Sequence, residues 1–475
     1  MSAPPGAQKI AGSDFDYVVI GAGPAGLAAA GHLAKTGARV AVFEGRPRPE
    51  NVFGSYPVVL NPRGLASLRA LDPALIERSA DVGLGVKELH IVPDGRTVAQ
   101  VKTFGTGIMR DQAAQLLLDW CEARSEITFF WEHKLKALDI TSHSCSFERL
   151  QDGQEVSVTG LKRLIAADGN RSRVRSACAQ QVPGFVVEAD PWGFQLRFMT
   201  SRGRPEQSQV SPDFHYVLGD KGYVCQQPDG VWNVSLRVLP EVDGDFLTAD
   251  ECTPERLAML RSYVERHADF AAEHLLDEEA YKGFYTVPAF DGLVVKCSCL
   301  NPAGWICLVG DAAHAVQPAT GEGINSGLED AAVLAMALRD CPDDAFGEFD
   351  RRHRANAHAL NALAQQAREK VLASPRQRAT NVMVTIGLGI AKKLRIIEGT
   401  AQDFMLGELA HTIGTKPYAE LVEMDTRQTR WLRSVAKGIT RVFRVSDASP
   451  LDKVNAEPKN SPKGEVSASQ QEIGG

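Results

Sequence analysis

The sequence predicts an α/β fold in three parts: a lobe built on parallel strands, an inserted lobe of mostly antiparallel β-sheet, and a helical C-terminal extension. Three observations lead to this prediction. A strand, a glycine-rich turn, a helix and a second strand follow one another in residues 17–43. Short strand-like runs separated by Gly, Pro and Asp fill residues 183–296. Amphipathic helical patterns dominate beyond residue 350.

The first part is organised around the turn that follows the apolar run Tyr17–Ile20. Gly21, Gly23 and Gly26 stand at G-x-G-x-x-G spacing before an Ala-rich helix. Such glycines permit a tight turn, a close backbone approach to a pyrophosphate, and close packing of the helix on the strand. Glu44 ends the second strand, where a carboxylate accepts hydrogen bonds from ribose hydroxyls. The complete order of strand, turn, helix, strand and acid predicts dinucleotide binding.

Composition excludes several other classes of protein. The 475 residues are 44% hydrophobic and 23% charged, as in ordinary globular proteins, and the net charge of −7 argues against nucleic acid as a partner. Nine cysteines without C-x-x-C pairs favour a reduced, cytoplasmic protein. We expect no signal peptide, no apolar run of the roughly 18 residues that span a membrane, and no metal site.

A second informative stretch is LIAADGNRSRVR, residues 164–175. An apolar strand ends at Asp168-Gly169, and Ser172 and Arg175 complete a D-G-x-x-S-x-V-R pattern. A strand-terminal Asp-Gly turn is common by itself. The arginines behind it fit either a solvated basic helix face or, because they cluster in an acidic protein, a site for an anionic ligand.

The third stretch, residues 305–338, begins with a buried strand that ends at Asp311. A loop with Pro318, Gly321 and Gly323 follows, and then a long Ala/Leu-rich helix. Asp311 is placed to accept a hydrogen bond from a ribityl hydroxyl, and the glycines let backbone N–H groups approach a planar ring. The positive end of the helix suits an anionic reduced flavin. We interpret His314 as a packing or hydrogen-bonding residue rather than a catalytic base.

Taken in order, the three motifs resemble class A FAD-dependent aromatic monooxygenases, over Asp16 to about Arg354. Residues 293–331 and the WEHKL run around Leu135 are most similar to kynurenine 3-monooxygenases. The resemblance implies a Rossmann-like FAD-binding lobe and a flavin reduced by NADPH or NADH. It also implies that molecular oxygen then hydroxylates an aromatic or other electron-rich small molecule through a flavin hydroperoxide.

The resemblance assigns a role to each matching position. The residues implied to bind FAD are Gly21, Gly23, Pro24, Ala25, Gly26, Glu44, Arg46, Arg110, Leu135, Asp168, Gly169, Arg175, Asp311, Gly323, Ile324 and Asn325. Asp168 and the arginines behind it are associated with NADPH as well, and Arg110 at a helix start also fits a surface cap. The implied catalytic positions beside the reactive flavin edge are Pro318, Gly321 and Gly323, with Ala319 and Thr320 at the substrate. No side chain need be a strict acid or base, because the flavin carries the chemistry.

The sequence departs from kynurenine 3-monooxygenases where those enzymes grip the carboxylate of the substrate with an arginine and a tyrosine. The arginine position falls near Glu88, beside Lys87, and Phe104 is the aromatic residue in the segment that follows. A glutamate and a phenylalanine cannot clamp a carboxylate. The sequence therefore favours a different aromatic or polyketide-like substrate at least as strongly as kynurenine.

The predicted domain boundaries follow from these patterns. They are a flexible tail over 1–13, a discontinuous FAD-binding lobe over 14–182 and 297–350, a substrate-binding β lobe over 183–296, a helical extension over 351–445 and a disordered tail over 446–475. Within 183–296 we expect a single helix, near 254–267.

The last helix, residues 427–445, combines an apolar stripe with basic residues. The apolar positions are Trp431, Leu432, Val435, Ile439, Val442 and Phe443, and the basic ones are Arg430, Arg433, Lys437, Arg441 and Arg444. This pattern is typical of a helix that packs its apolar side over the substrate lobe, and equally of one that binds a membrane surface. The sequence slightly favours packing and leaves the oligomeric state open.

The functional prediction is a monooxygenase with a small-molecule substrate. Two alternatives remain at this point. One is an FAD-dependent reductase or dehydrogenase of the same fold that acts on an isoprenoid or other lipid without inserting oxygen. The other is a flavin-binding interaction protein in which the basic C-terminal helix is the working part.

Overall fold

Eighteen strands are found in the described part of the chain. The computed structural model describes residues 8–49, 55–203, 210–318, 321–371 and 374–442, without the side chains of 367–371. The strands are β1 (Gln8–Ala11), β2 (Tyr17–Ile20), β3 (Val40–Phe43), β4 (Pro57–Leu60), β5 (Leu84–Ile91), β6 (Ala99–Met109), β7 (Ile127–Phe130), β8 (His133–Asp139), β9 (Ser144–Arg149), β10 (Glu155–Thr159), β11 (Leu164–Ala166), β12 (Val187–Pro191), β13 (Gln195–Ser201), β14 (Phe214–Val217), β15 (Gly222–Gln226), β16 (Trp232–Val238), β17 (Leu293–Cys297) and β18 (Ile306–Leu308).

Sixteen α-helices occupy much of the remaining described chain. They are α1 (Pro24–Ala34), α2 (Pro62–Leu71), α3 (Ala74–Val82), α4 (Arg110–Glu122), α5 (Arg173–Gln181), α6 (Asp245–Thr248), α7 (Pro254–His267), α8 (Asp269–His274), α9 (Glu278–Thr286), α10 (Asp311–His314), α11 (Gly323–Asp340), α12 (Ala345–Val371), α13 (Pro375–Lys393), α14 (Ala401–Met405), α15 (Glu408–Thr412) and α16 (Tyr418–Val442).

A parallel sheet forms the centre of the first lobe. Its five strands lie in the order β18-β11-β2-β3-β7, and every neighbouring pair is parallel. The strands are apolar and buried, as expected for a sheet covered by helices on both faces, and α1 packs against α4 and α11. The carboxyl ends of neighbouring parallel strands lie at one edge, which is where ligands of open α/β sheets bind. The segments after β18, β11, β2 and β3 therefore form one row, and they carry the three predicted motifs.

The second lobe is built on a seven-stranded sheet in the order β13-β16-β15-β14-β5-β6-β4. Helices α6 to α9 and one face of this sheet share a hydrophobic core. The predicted boundary of 183–296 is wrong, because β4, β5 and β6 come from residues 57–109. The parallel pairing of β5 with β14 joins the two parts of the sheet, and such a long-range pairing leaves no local pattern in the sequence. The single predicted helix, α7, is present, but α6, α8 and α9 are too short for periodicity to reveal them.

The amino-terminal prediction also needs correction. Residues 8–11 form β1, which pairs in parallel with β10, and a 3-10 turn follows at Gly12–Asp14. The predicted flexible tail over 1–13 is therefore wrong from residue 8 onward, whereas residues 1–7 lie outside the described chain. The strand is short and mostly exposed, so it carries no hydrophobic alternation that a sequence pattern would detect.

The C-terminal extension is helical, as predicted, and α16 packs on α12, α13 and α14. Its amino-terminal turns are buried at Tyr418 and Leu421. The apolar stripe further along faces outward: Trp431 is 71% exposed and Val442 79% exposed. Packing of this stripe over the substrate lobe, which the sequence slightly favoured, is therefore wrong. Phe443, Arg444 and the predicted disordered tail lie outside the described residues.

No helix within the described ranges is both long enough and apolar enough to cross a membrane.

Candidate functional site

The glycine turn after β2 has main chain packed against main chain. Gly21 has φ +106°, and a Cβ on it would lie 2.3 Å from the carbonyl oxygen of Ala167. A Cβ on Gly26 would lie 2.0 Å from the carbonyl oxygen of Gly21. Only glycine fits at these two positions, and it allows the turn to pack directly against the end of β11. The amino terminus of α1 then points out of the sheet edge.

Gly23 stands on the open side of the same turn. The nearest atom to a Cβ placed there is Nη2 of Arg110, at 4.0 Å. Arg110 is the first residue of α4, and its guanidinium has no hydrogen-bond partner within the described chain. A cation and the positive end of α1 thus face one open backbone position, which suits a pyrophosphate.

Glu44 directly follows β3 and is fixed by its neighbours. One carboxylate oxygen accepts from the amide of Ala22 at 2.8 Å, and the other accepts from the amide and Nε of Arg46, each at 3.0 Å. Burial raises the pKa of Glu44, but the charge of Arg46 and these hydrogen bonds outweigh it and lower the pKa. The ionised oxygens keep further lone pairs, so Glu44 can accept from ribose hydroxyls as predicted.

The Asp-Gly motif after β11 shapes a turn. Asp168 accepts from Ser172 Oγ at 2.5 Å and from the amides of Arg173 and Val174 at 2.7 and 3.1 Å. Its carboxylate thus caps the start of α5, and Gly169 takes φ +83° to let the chain turn. Burial raises the pKa of Asp168 despite these donors. Asp168 therefore shapes the cofactor-binding edge of the sheet indirectly, by holding the backbone of this turn in place.

Arg175 is placed differently from the predicted nicotinamide contact. The residue is 4% exposed, and its guanidinium donates to the carbonyl oxygens of Asn170 at 2.7 Å, Ala312 at 3.1 Å and Asp311 at 3.3 Å. It therefore joins the Asp-Gly turn to the start of α10. The other two arginines of the motif are also occupied: Arg171 pairs with Asp291, and Arg173 donates to the carbonyl of Leu135. None of these contacts supports a nicotinamide role.

Asp311 and the start of α11 form an open polar corner. The Asp311 carboxylate has no hydrogen-bond donor among the described residues, and its Oδ1 lies 3.9 Å from a Cβ placed on Gly323. Burial raises its pKa, and the charges of Arg110, His314 and Arg175 oppose this. Gly321 has φ +65°, and nothing lies within 4 Å of its Cβ position. A partly exposed acceptor without a donor of its own, beside an open glycine loop, fits the ribityl chain and ring edge of a flavin.

The side chain of Asn325, a residue that the resemblance assigns to FAD, binds other parts of the protein. Its Oδ1 accepts from the amide of Asn61 at 3.0 Å, and its Nδ2 donates to the carbonyls of Val59 and Gly321, both at 2.9 Å. The side chain therefore fastens the glycine loop to β4, and only its amide in the first turn of α11 remains for a ligand. Ile324 packs against the core beneath that turn.

A buried carboxylate between two histidines lies under the same loop. Asp330 on α11 meets Nε2 of His314 at 2.8 Å and Nε2 of His353 at 2.7 Å, and accepts from the amide of Gly310 at 2.5 Å. The charge of Asp330 raises the pKa of His314 although burial opposes it, and both histidines lower that of Asp330. Gly310 and His314 are hydrogen-bonded to Oδ2 of Asp330, and His353 forms an ion pair with Oδ1, so the cluster clamps α10 and α12 to α11. The interpretation of His314 as a hydrogen-bonding residue agrees with this geometry.

Comparison with known proteins shows which families the chain resembles. A family model described as FAD binding domain matches residues 14–199 and 301–344. Curated kynurenine 3-monooxygenases from Phaeosphaeria nodorum and Salinispora arenicola are each 26% identical, covering 91% and 89% of this chain and 92% and 93% of their own length. The chain is thus similar in sequence to FAD-dependent monooxygenases over most of its length, and the FAD-binding match covers most of the first lobe. Its fold is similar to that of p-nitrophenol 4-monooxygenase from Pseudomonas putida, with a TM-score of 0.59, 17% identity, and 92% and 98% of the two chains covered.

Several positions that the sequence assigned to the cofactor or the catalytic edge serve mainly as supports. Pro24 begins α1, and Ala25 touches Gly310 and Gly327, at 2.9 and 3.1 Å from the Cβ positions of these glycines. Leu135 is buried in the core behind Glu44. Pro318 closes the glycine loop by accepting from the amide of Gly321 at 2.9 Å. Ala319 and Thr320, the predicted substrate contacts, lie outside the described residues.

The sequence analysis missed the polar residues that anchor the glycine loop from a distance. They are Asn61, Arg63, Glu322, Asp330, His353 and Tyr418, all of which are at most 2% exposed. A possible signal was available for Asp330 only, since it follows Asn325 in the same helix. For the others the partners lie far apart in the chain, so no spacing rule would have found them.

Replacement of Gly23 by Val should abolish the yellow colour of the purified protein, because the branched side chain fills the space that faces Arg110. Gly85→Val is the matched control, since Gly85 in β5 also has open space around its Cβ position. The measurement is flavin absorbance per protein after gel filtration. Retained FAD in Gly23→Val would contradict the placement of the pyrophosphate.

Asp330→Asn should lower the free energy of unfolding by about 3 kcal/mol, because it leaves two buried histidines without their anion. The raised pKa of His314 means that its contribution is complete below about pH 6.5 and is lost as pH rises through the folded-state pKa. The lowered pKa of Asp330 means that its contribution is complete above about pH 3.8 and is lost only in stronger acid. Urea unfolding at several pH values should therefore show the largest difference from wild type between about pH 4 and 6.5. A difference that grows above pH 8 would contradict the ion pair.

Proposed function

We propose that this flavoprotein hydroxylates an aromatic small molecule with molecular oxygen, using FAD reduced by NADPH or NADH. The observation that carries the proposal is the row of motifs along one sheet edge. Glu44, the glycine turn, Asp168 and Asp311 follow four adjacent parallel strands. Neighbouring strands are about 4.8 Å apart, so the row spans about 14 Å, which matches an extended dinucleotide rather than a single nucleotide.

The residues of the chain hold and orient the cofactor. Glu44 binds the ribose of the adenosine, the first turn of α1 and Arg110 bind the pyrophosphate, and Asp311 accepts from the ribityl chain. The N–H groups at the start of α11 meet the ring edge, where their positive potential stabilises negative charge on a reduced flavin. When bound, FAD would supply the redox and oxygen chemistry of the reaction.

An aromatic wall leads from the second lobe to this corner. The rings of Phe198 on β13 and Phe290 are 5.2 Å apart, and those of Phe290 and Tyr56 are 5.8 Å apart. Arg110 lies 6.0 Å from the Tyr56 ring. A largely apolar wall excludes water, which favours oxygen transfer to substrate over release of hydrogen peroxide. These contacts support an aromatic substrate between the lobes.

The contacts near Glu88 support a substrate other than kynurenine. Lys87 pairs with Asp213, Glu88 lies 2.9 Å from His90, and Phe104 stacks on His411 of α15 at 4.4 Å. The C-terminal extension thus covers the strand on which a carboxylate clamp would stand. Neither cation nor phenol is offered to a substrate there, and we infer an aromatic compound without an amino-acid carboxylate at this position.

The test of the proposed reaction is NADPH oxidation by the purified yellow enzyme, with and without a panel of phenols, anilines and aromatic acids. Hydrogen peroxide is measured in parallel. We expect one class to accelerate NADPH oxidation at least roughly tenfold with little peroxide, because substrate completes the dry cavity. Incorporation of ¹⁸O from labelled oxygen into the product separates hydroxylation from simple dehydrogenation. Stimulated oxidation without label would favour the reductase, and firmly bound FAD without stimulation by any compound would favour the interaction protein.

The outward stripe on α16 supports a second proposal, that the enzyme binds the surface of anionic membranes. Exposed apolar residues on α13 and at its C-cap lie on a helix that packs against α16: Val382, Ile386, Ile390 and Leu394 are between 54% and 65% exposed. Lys437 and Arg441 are exposed beside them. Apolar residues flanked by cations are the pattern of a helix that lies in the membrane interface. The alternative, an oligomer formed through the same face, is an outcome of the test.

The membrane proposal is tested with sedimentation of phosphatidylserine-containing vesicles. Trp431→Ser combined with Val442→Ser should weaken vesicle binding at least roughly tenfold, because two large apolar side chains leave the interface. Val98→Ser combined with Met259→Ser is the matched control, since these residues are 65% and 53% exposed elsewhere on the protein. Wild-type sedimentation no greater than that of the Trp431→Ser/Val442→Ser variant would contradict membrane binding. A dimer by light scattering that the same substitutions dissolve would assign the stripe to self-association.

A further inference from the structure

A buried hydrogen bond connects the C-terminal extension to the glycine loop. The hydroxyl of Tyr418, the first residue of α16, donates to Oε2 of Glu322 at 2.5 Å. The other oxygen of Glu322 accepts from Nδ2 of Asn61 at 2.9 Å. Both Glu322 and Tyr418 are 1% exposed. Since both residues are almost fully buried, loss of the bond between the Tyr418 hydroxyl and Oε2 of Glu322 is not readily made good by water.

Glu322 occupies a sensitive place in the chain. It lies between Gly321, which has φ +65°, and Gly323, where α11 begins. Its side chain does not cap the helix that it precedes but is directed away, towards Asn61 and Tyr418. The two glycines give the loop freedom, so the Glu322 carboxylate is one of the few groups that fix it. Asn325 supplies a second attachment, to Val59 and Asn61.

The charges around this contact keep the tyrosine hydroxyl as the donor. Burial raises the pKa of Tyr418 well above its usual value, and the nearby Glu322 raises it further. Burial also raises the pKa of Glu322, while the charge of Arg63 opposes that shift. Arg63 stacks 3.9 Å above the Tyr418 ring, pairs with Glu329 and donates to the carbonyl of Lys416 at 2.5 Å. One guanidinium thus faces two carboxylates, and the hydroxyl supplies Glu322 with the donor that Arg63 does not.

We propose that Tyr418 is a positioning residue that couples the seating of the C-terminal extension to the flavin-edge loop through Glu322. The proposal rests on the proposed function, because that function places the ring edge of FAD at the start of α11. When the hydroxyl is absent, Oε2 of the buried Glu322 carboxylate loses the donor that Tyr418 gives it, and the loop shifts as the carboxylate readjusts. The N–H groups at the start of α11 then shift with respect to the flavin, so both its surroundings and the exclusion of water change.

The test is Tyr418→Phe, studied as the FAD-loaded enzyme. The phenylalanine keeps the ring that stacks on Arg63 and removes the hydroxyl alone. We expect an altered visible circular dichroism spectrum of the bound flavin and roughly two- to tenfold faster loss of FAD on dilution, the range that one net hydrogen bond represents. The hydrogen peroxide released per NADPH oxidised should also rise, with kcat more affected than KM.

Tyr285→Phe is the matched control. The Tyr285 hydroxyl is also buried and donates to the carbonyl of Phe246 at 2.8 Å, but it lies in the hydrophobic core of the second lobe. Both variants should lose similar thermal stability, and only Tyr418→Phe should change the flavin spectrum. Adding Glu322→Gln to Tyr418→Phe should restore part of the spectrum, because a neutral amide no longer strands a buried anion.

A wild-type flavin spectrum and FAD release rate in Tyr418→Phe, with lowered thermal stability, would overturn the coupling and leave Tyr418 a structural residue. If Tyr418→Phe does not fold, the same spectrum in Glu322→Gln alone decides: a change supports the coupling and its absence overturns it. The spectral readout needs no substrate. A wild-type protein that fails to retain FAD would instead overturn the proposed function.

Discussion

The cofactor site depends on one packing constraint: main chain lies against main chain where three strand ends meet. Gly21 and Gly26 leave no room for a Cβ beside the end of β11, and Gly310, with φ +58°, leaves none beside Ala25. Contacts this close fix the position at which each loop leaves the edge of the sheet. The same contacts position the carboxylates of Asp168 and Asp311, since these residues come shortly after strands β11 and β18. Without the glycines, the row of motifs would not lie at one level.

Much of the fold was predictable because local sequence patterns determine its helices and strands. Strands β14, β15 and β16 alternate or form apolar runs bounded by turn residues, and they lie within residues 183–296, where the sequence predicts such strands. What local pattern does not contain is pairing. The sheet of the second lobe takes β5 and β6 from far upstream, and nothing in their sequences distinguishes a partner in β14 from one in another strand. Short elements such as β1 and α6 were missed because four residues cannot display a period.

In the candidate site, too, the sequence predicted the positions of residues but not their hydrogen-bond partners. Spacing placed Gly21, Glu44 and Asp311 at strand ends, and their surroundings fit the predicted roles. Spacing did not reveal which groups a side chain forms hydrogen bonds with. Asn325 and Arg175 stand where the resemblance put them, yet their polar atoms bind the protein's own backbone. The contact between Glu322 and Tyr418 joins residues 96 positions apart, so only the folded chain brings them together.

Three arginines lie around the site, and two of them are already bound to other parts of the protein. The third remains available to bind a ligand. Arg63 is occupied by Glu329 and the carbonyl of Lys416, and Arg175 by three carbonyls of the cofactor loops. Both are nearly inaccessible, and both hold loops together. Arg110 differs, because its guanidinium has no such partner in the described chain and faces the open side of Gly23. A pyrophosphate brings the negative charge that this cation and the dipole of α1 lack. The loops are thus held by arginines whose polar atoms bind the protein itself, and in the proposed site the pyrophosphate of FAD would balance the charge of Arg110.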